Sequence, residues 1–169
     1  TSQDEKTGVS IMQLEAGMDS GPVYAQKLLP LTGSETKPEL YQKLFSLGEA
    51  MLIKALPDII SGQLQPTPQD DSKASYCQLL SKDDSLLQPE QLTASQAEAK
   101  VRAYLGFPKT RIQIADRQLI ITRAHISPEK TSPLSVRCKD DNYLVIDELI
   151  APSGKTISAA AYLLGHPLN

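Results

Sequence analysis

Residues 7 to 21 read Thr-Gly-Val-Ser-Ile-Met-Gln-Leu-Glu-Ala-Gly-Met-Asp-Ser-Gly. Val9, Ile11 and Gln13 alternate with Ser10, Met12 and Leu14, the pattern of a mostly buried strand, and Pro22 to Leu29 reads as the next one. Between them stands one acid, Asp19, with Gly17 and Gly21 on either side. Glycines at those places let the main chain approach a flat ligand and let a carboxylate point into a cleft, so the loop suits ligand binding. The competing reading of Asp19-Ser20-Gly21 is a turn in which the acid bonds its own backbone; on local grounds alone the turn comes first.

Downstream, a polar stretch over residues 32–37 leads to Pro38, placed where a first-turn proline is tolerated, with Thr36 close enough to cap. Leu40, Leu44, Leu47, Met51, Ala55 and Ile59 then recur at steps of three and four, an amphipathic helix. Pro57 is expected to end it, giving a helix over about 38–56, with Gly62 closing the segment. Two strands and one helix leave sheet edges and apolar helix surface uncovered, so a partner sheet is required.

Residues 63–82 hold Pro66, Pro68, Asp70, Asp71 and several Ser and Gln, and read as a linker lying along a surface. A second unit follows. Thr93 and Gln96 form a capping box, Ala97, Val101 and Tyr104 or Leu105 make the apolar stripe, and Gly106 with Pro108 stops the helix. The period then switches to two over 110–115, 118–126, 134–138 and 143–150, and short connections predict a meander curling into a small barrel. Ser158 caps a last short helix over 159–164.

The chain has 169 residues, 40% hydrophobic and 22% charged, enough for one ordinary core or two small ones. No apolar run approaches the length of a membrane span and no signal-peptide pattern occurs, so a soluble cytoplasmic protein is expected. Cys77 and Cys138 belong to no Cys-x-x-Cys pair, so they read as free thiols with no metal site. The first residue is Thr, and the sequence opens just before a strand; it reads as a piece of something longer.

Taken together, Thr-Gly-Val-Ser-Ile-Met-Gln, Gly-Met-Asp-Ser-Gly-Pro-Val, the Leu-Pro-Leu-Thr run and the helix near Pro38 resemble the second half of the catalytic domain of methionyl-tRNA formyltransferases. Glycinamide ribonucleotide formyltransferase is similar more loosely. Leu80-Ser-Lys, Phe107-Pro108 and the final Pro-Ser-Gly-Lys-Thr-Ile-Ser-Ala-Ala-Ala-Tyr-Leu-Leu resemble the C-terminal domain of the same family, although the Trp usual after the Phe-Pro region is missing. The resemblance implies an α+β or α/β chain in three parts: residues 1–62, the rear of a Rossmann-like formyltransferase domain; 63–83, a linker; and 84–169, an oligonucleotide-binding-like β-barrel with a helix.

It also implies a site. Asp19 matches the family's catalytic Asp, which orients and charge-stabilises a His and helps move the amine proton, and the loop Leu14, Glu15, Ala16, Gly17, Met18, Asp19 presents backbone groups to the pterin of 10-formyltetrahydrofolate. The partner molecules implied are that folate and initiator Met-tRNA, with a monomeric enzyme expected. The family's Asn-x-His-Pro-Ser-Leu-Leu-Pro stretch is absent; the lone His166-Pro167 step has Leu164 where Asn is needed. With neither Asn nor His, one acid cannot hold a nucleophile and stabilise an oxyanion, so the chain alone is expected to be inactive. His125 reads as a surface or half-buried histidine.

Residues 1–83 carry 7 basic and 11 acidic side chains and residues 84–169 carry 10 and 9, moving the net charge from −4 to +1. Lys100, Arg102, Lys109, Arg111, Arg117 and Arg123 concentrate in the second part, opposed locally by Asp116. Gathered on one barrel face they would neutralise RNA phosphates; composition alone favours ordinary solvated charges. Two other readings stand beside the tRNA enzyme: another user of 10-formyltetrahydrofolate, either a formyltetrahydrofolate dehydrogenase or a sugar formyltransferase, and a non-catalytic RNA-binding module.

Overall fold

The computed structural model describes residues 3–168. Its contacts divide the chain into a unit spanning Asp4–Gln78 and a unit formed by Leu79–Asn169 with the first three residues.

In the Asp4–Gln78 unit, strand β1 (Lys6–Met12) pairs antiparallel with β2 (Val23–Pro30). The register runs Lys6↔Pro30 to Ile11↔Ala25 and then slips to Met12↔Val23, so Tyr24 bulges at the mouth of the loop. Instead of the mostly buried strand expected, β1 has one face half-buried (Thr7, Val9, Ile11) and the other exposed (Lys6, Gly8, Ser10). The reason is that only one layer of this unit, helix α1 (Lys37–Ile60), packs against the ribbon. Gly48 permits the contact: a Cβ there would stand 3.2 Å from Val9 Cγ1.

Helix α1 starts where the Thr36 N–H and hydroxyl both donate to Glu39 Oε2, at 2.9 and 2.8 Å. It ends later than Pro57 predicts. Proline forfeits its own donor, but its carbonyl still accepts Ser61 N–H at 3.0 Å, and Gly62 and Leu64 N–H bond to Ile59 and Asp58 carbonyls at 3.2 and 3.0 Å, so the last turn closes downstream of the ring. The stripe Leu40, Leu44, Leu47, Met51, Ala55, Ile59 is the covered face, whereas Tyr41, Phe45, Leu52, Ile53, Leu56 and Ile60 form a second, exposed apolar face.

In the other unit, helix α2 (Ala94–Ala103) carries the Thr93/Gln96 box, with Thr93 Oγ1 accepting Gln96 N–H at 3.2 Å and Gln96 Oε1 accepting Thr93 N–H at 3.0 Å. Strands β3 (Thr110–Ile114), β4 (Arg117–Ser127), β5 (Ser135–Arg137), β6 (Tyr143–Ile150) and β7 (Thr156–Ser158) form one curled antiparallel sheet. The order is β3-β4-β6-β5 with β7 also on β6, not the meander expected. Two features explain it. The tight Lys139–Asn142 turn, with Asp141 at φ +65°, folds the three residues of β5 onto the start of β6, and β7 takes the end of that same edge; the opposite edge of β6 is left to β4. Helix α2 covers β4, and its Val101 is fully buried in one core with Ile112, Ile121, Leu134, Leu144, Ile146 and Leu149. A final helix, α3 (Ala159–Gly165), is capped by Ser158 Oγ accepting Ala161 N–H at 3.2 Å.

Candidate active-site loop and basic residues

The loop between β1 and β2 is closed at its base by Gln13 N–H donating to the Pro22 carbonyl at 2.9 Å. Gly21 is buried against that base, and a Cβ there would overlap the Gln13 carbonyl oxygen. Only glycine fits so close an approach. Beyond the base, Leu14 to Ser20 are all exposed, Leu14 and Met18 nearly fully, so the residues expected to face a ligand share one open loop.

Asp19 stands in the left-handed region at φ +52°, a conformation that costs free energy in any residue with a Cβ. In an ordinary Asx turn its carboxylate would bond the following backbone. Met18 and Asp19 do lie in a turn, but among the described residues the Asp19 carboxylate has no hydrogen-bond or ion-pair partner, its own backbone included. What holds the backbone instead is Gln69, whose Nε2 donates to the Asp19 carbonyl at 2.8 Å and to the Gly21 carbonyl at 2.7 Å. Next to it, Thr67 and Val23 exchange two backbone hydrogen bonds of 2.8 and 2.9 Å. A free carboxylate on a braced loop is chemically able to orient and charge-stabilise a cationic base or to accept a proton.

Gln69 escaped the sequence reading because it lies in a stretch with linker composition. The available signal was Pro66 and Pro68, which flank Thr67 and stiffen an extended segment.

The six basic residues are not equivalent. Lys100 donates to the Leu86 carbonyl at 3.2 Å and lies 5.2 Å from the Tyr104 ring centre; burial lowers its pKa, against the Asp84 carboxylate, which raises it. Arg102 is 2.7 Å from Glu98, Arg123 3.0 Å from Glu148, and Arg117 3.7 Å from Asp116 while donating to the His166 carbonyl at 3.1 Å. Lys109, exposed at φ +68°, and Arg111, half-buried on β3, have no such partner among the described residues. Of the histidines, His125 Nδ1 is 2.8 Å from Asp147 Oδ1, and the His166 ring centre is 4.7 Å from that of Tyr162. No group of three or more His, Cys, Asp or Glu gathers into a possible metal site among the described residues. No helix described is long and apolar enough to cross a membrane.

Residues 1–56 match the family described as Formyl transferase. Over 98% of its length the chain is 32% identical to the methionyl-tRNA formyltransferase of Herminiimonas arsenicoxydans, 56% of which is covered. The chain is thus similar to methionyl-tRNA formyltransferases along nearly its whole length. It spans about half the length of the curated relatives it matches, between 39% and 56% for the Halorhodospira halophila and Herminiimonas proteins.

The fold is shared with more distant proteins. HypX from Aquifex aeolicus, solved with tetrahydrofolic acid, gives a TM-score of 0.69 at 16% identity over 95% of this chain and 30% of that one. The N-formyltransferase of Helicobacter canadensis, solved with folinic acid and dTDP-3-aminofucose, gives 0.67 at 16% identity over 85% of this chain and 56% of that one.

Proposed function

We propose that the protein carrying this chain transfers a formyl group from 10-formyltetrahydrofolate to the amine of initiator Met-tRNA, for translation initiation. The observation that carries this reading is the 32% identity to a curated methionyl-tRNA formyltransferase spread over nearly the whole chain. The free Asp19 carboxylate on a braced loop is consistent with it. In the reaction the amine nitrogen attacks the formyl carbon, the bond from that carbon to the folate nitrogen breaks, and the amine proton passes to the departing nitrogen. Asp19 orients and charge-stabilises the His that shuttles this proton. That His, with its Asn partner, lies in a motif these 169 residues do not contain, so the chain by itself is inactive.

Leu14 to Asp19 offer main-chain groups to the pterin, a role supported by the tetrahydrofolate bound to a protein of the same fold. Residues 1–62 belong to the catalytic domain, the first part of 63–83 packs back on it through Thr67 and Gln69 before linking onward, and 84–169 form an oligonucleotide-binding-like barrel that meets tRNA. Lys109 and Arg111 are the cations best placed to serve there, because the other four are engaged within the protein. The enzyme works in the cytoplasm as a monomer and needs no metal.

The test is formylation of initiator Met-tRNA by that protein with 10-formyltetrahydrofolate. Asp19→Asn should fold normally and lose at least about 100-fold in turnover, the scale of a lost acid-base group; undiminished turnover would remove Asp19 from the chemistry. A second reading, an amino-sugar N-formyltransferase, is favoured by the fold shared with the Helicobacter canadensis enzyme. Formylation of a nucleotide-linked amino sugar with Met-tRNA untouched would establish it.

A further inference from the structure

We propose that Gln69 is a positioning residue that sets the Asp19 carboxylate through the main chain, an inference that rests on the functional reading above. Both atoms facing its amide are carbonyl oxygens, those of Asp19 and Gly21, at 2.8 and 2.7 Å. Only the NH2 end of a glutamine has two protons to give to two acceptors, so the amide orientation follows from chemistry. The two carbonyls belong to the Asp19–Ser20 and Gly21–Pro22 peptides, so the amide fixes the peptide planes that flank the Ser20–Gly21 pair.

The side chain of Asp19 has no partner of its own among the described residues, so the backbone, which fixes its Cα–Cβ direction, decides the region its carboxylate can reach. Those torsions are left-handed, φ +52°, a region that Asp tolerates better than most residues but still at a cost that neighbouring contacts offset. At the base of the loop, the Gln13 to Pro22 hydrogen bond and the tight seat of Gly21 act on the ends and leave the tip free. Gln69 is the contact that reaches the tip. Its own backbone is anchored by the reciprocal Thr67 and Val23 bonds two residues earlier and by the turn that Asp70 caps on Ser72 N–H at 3.1 Å. Without the two donors, Asp19 relaxes toward the right-handed region and swings its carboxylate away from the base it must orient.

The donor chemistry makes the inference testable. Gln69→Ala removes both hydrogen bonds at an exposed position, and Gln69→Glu keeps the shape while replacing donors by acceptors that repel both carbonyls. Gln69→Lys restores protons on a stem one atom longer. In the whole protein, the Ala and Glu variants should lower kcat at least about tenfold with KM for Met-tRNA within about twofold, as expected when transition-state geometry and not binding is lost. The Lys variant should recover a substantial part of that loss. In parallel, amide exchange over Leu14–Gly21 should speed up in Ala and Glu and slow again in Lys, with the unfolding midpoint unchanged.

Loop exchange that ignores residue 69 overturns the proposal, as does faster exchange with unchanged kcat. If Lys fails to restore either quantity, the donors are not what matters and the proposal falls. Should the parent protein formylate nothing, the functional reading fails and this one with it; an active parent whose Gln69 variants stay fully active defeats this inference alone.

Discussion

Asp140 and Ala94 meet across 46 residues of chain: the Asp140 carboxylate accepts the Ala94 backbone N–H at 3.0 Å. Ala94 is the first residue of α2 and fully buried, so its N–H has neither an intrahelical acceptor nor water. Thr93 satisfies Gln96 further along, and the two caps divide the first turn between them. Asp140→Ala therefore strands a buried donor and lowers the thermal midpoint of this unit. Asp140→Asn keeps an acceptor and recovers most of it, as read by circular dichroism.

Glu35 gives the acid limb of stability a definite shape. Hydrogen bonds from the Thr32 backbone, then its own N–H, with a smaller part from Lys43 at 3.2 Å, hold its carboxyl down to about 2 from an ordinary 4.5, against burial, which raises it. A carboxyl depressed on folding adds stability that is complete above its unfolded value and disappears as pH falls through the folded one. The gap in urea midpoint between the parent and Glu35→Gln should be constant above about pH 4.5 and close on descending toward about 2.

Gly21→Ala tests the seat of the loop without touching the acid. The glycine is needed for space, since an added methyl meets the Gln13 carbonyl and must push the strand ends apart. Overpacking of this kind costs about 1–3 kcal/mol. Denaturation of the chain should show that loss, with faster exchange at the Gln13 amide.

Leu134 is wholly buried among Ile112, Ile121, Leu144 and Ile146. Leu134→Ala leaves a cavity beneath the curled sheet and should cost about 2–5 kcal/mol in urea denaturation.

Joint replacement of Lys109 and Arg111 by Ala should weaken tRNA binding and flatten its dependence on log salt by about 1.5 units, the effect of two lost phosphate contacts. Replacing Arg102 and Arg123, which are held by Glu98 and Glu148, should change that slope much less. Equal slopes for all three proteins would place the RNA elsewhere.

Much of this molecule was legible in one dimension. The α1 stripe from Leu40 to Ile59 is the covered face, the Thr93 box closes α2, and Ser158 caps α3, because periodicity and capping act between residues at most one turn apart. Prolines misled where local cost was overestimated: Pro57 removes one donor near a helix end that has other bonds to use. The location of the Asp19 loop was also legible, from its glycines and flanking strands.

What holds that loop was not. Gln69 lies 50 residues from Asp19, and nothing in a run of Pro, Thr and Gln says which carbonyls its amide will meet. The same holds for Asp140 at Ala94, for β5 taking the far edge of β6, and for the ion pairs that occupy three of the six basic residues and the Leu86 carbonyl that holds a fourth, Lys100. Local propensities and caps are properties of neighbouring residues and are written in their order. A donor's distant acceptor, a strand's partner and a charge's counter-ion depend on the path of the whole chain, and only the folded structure decides them.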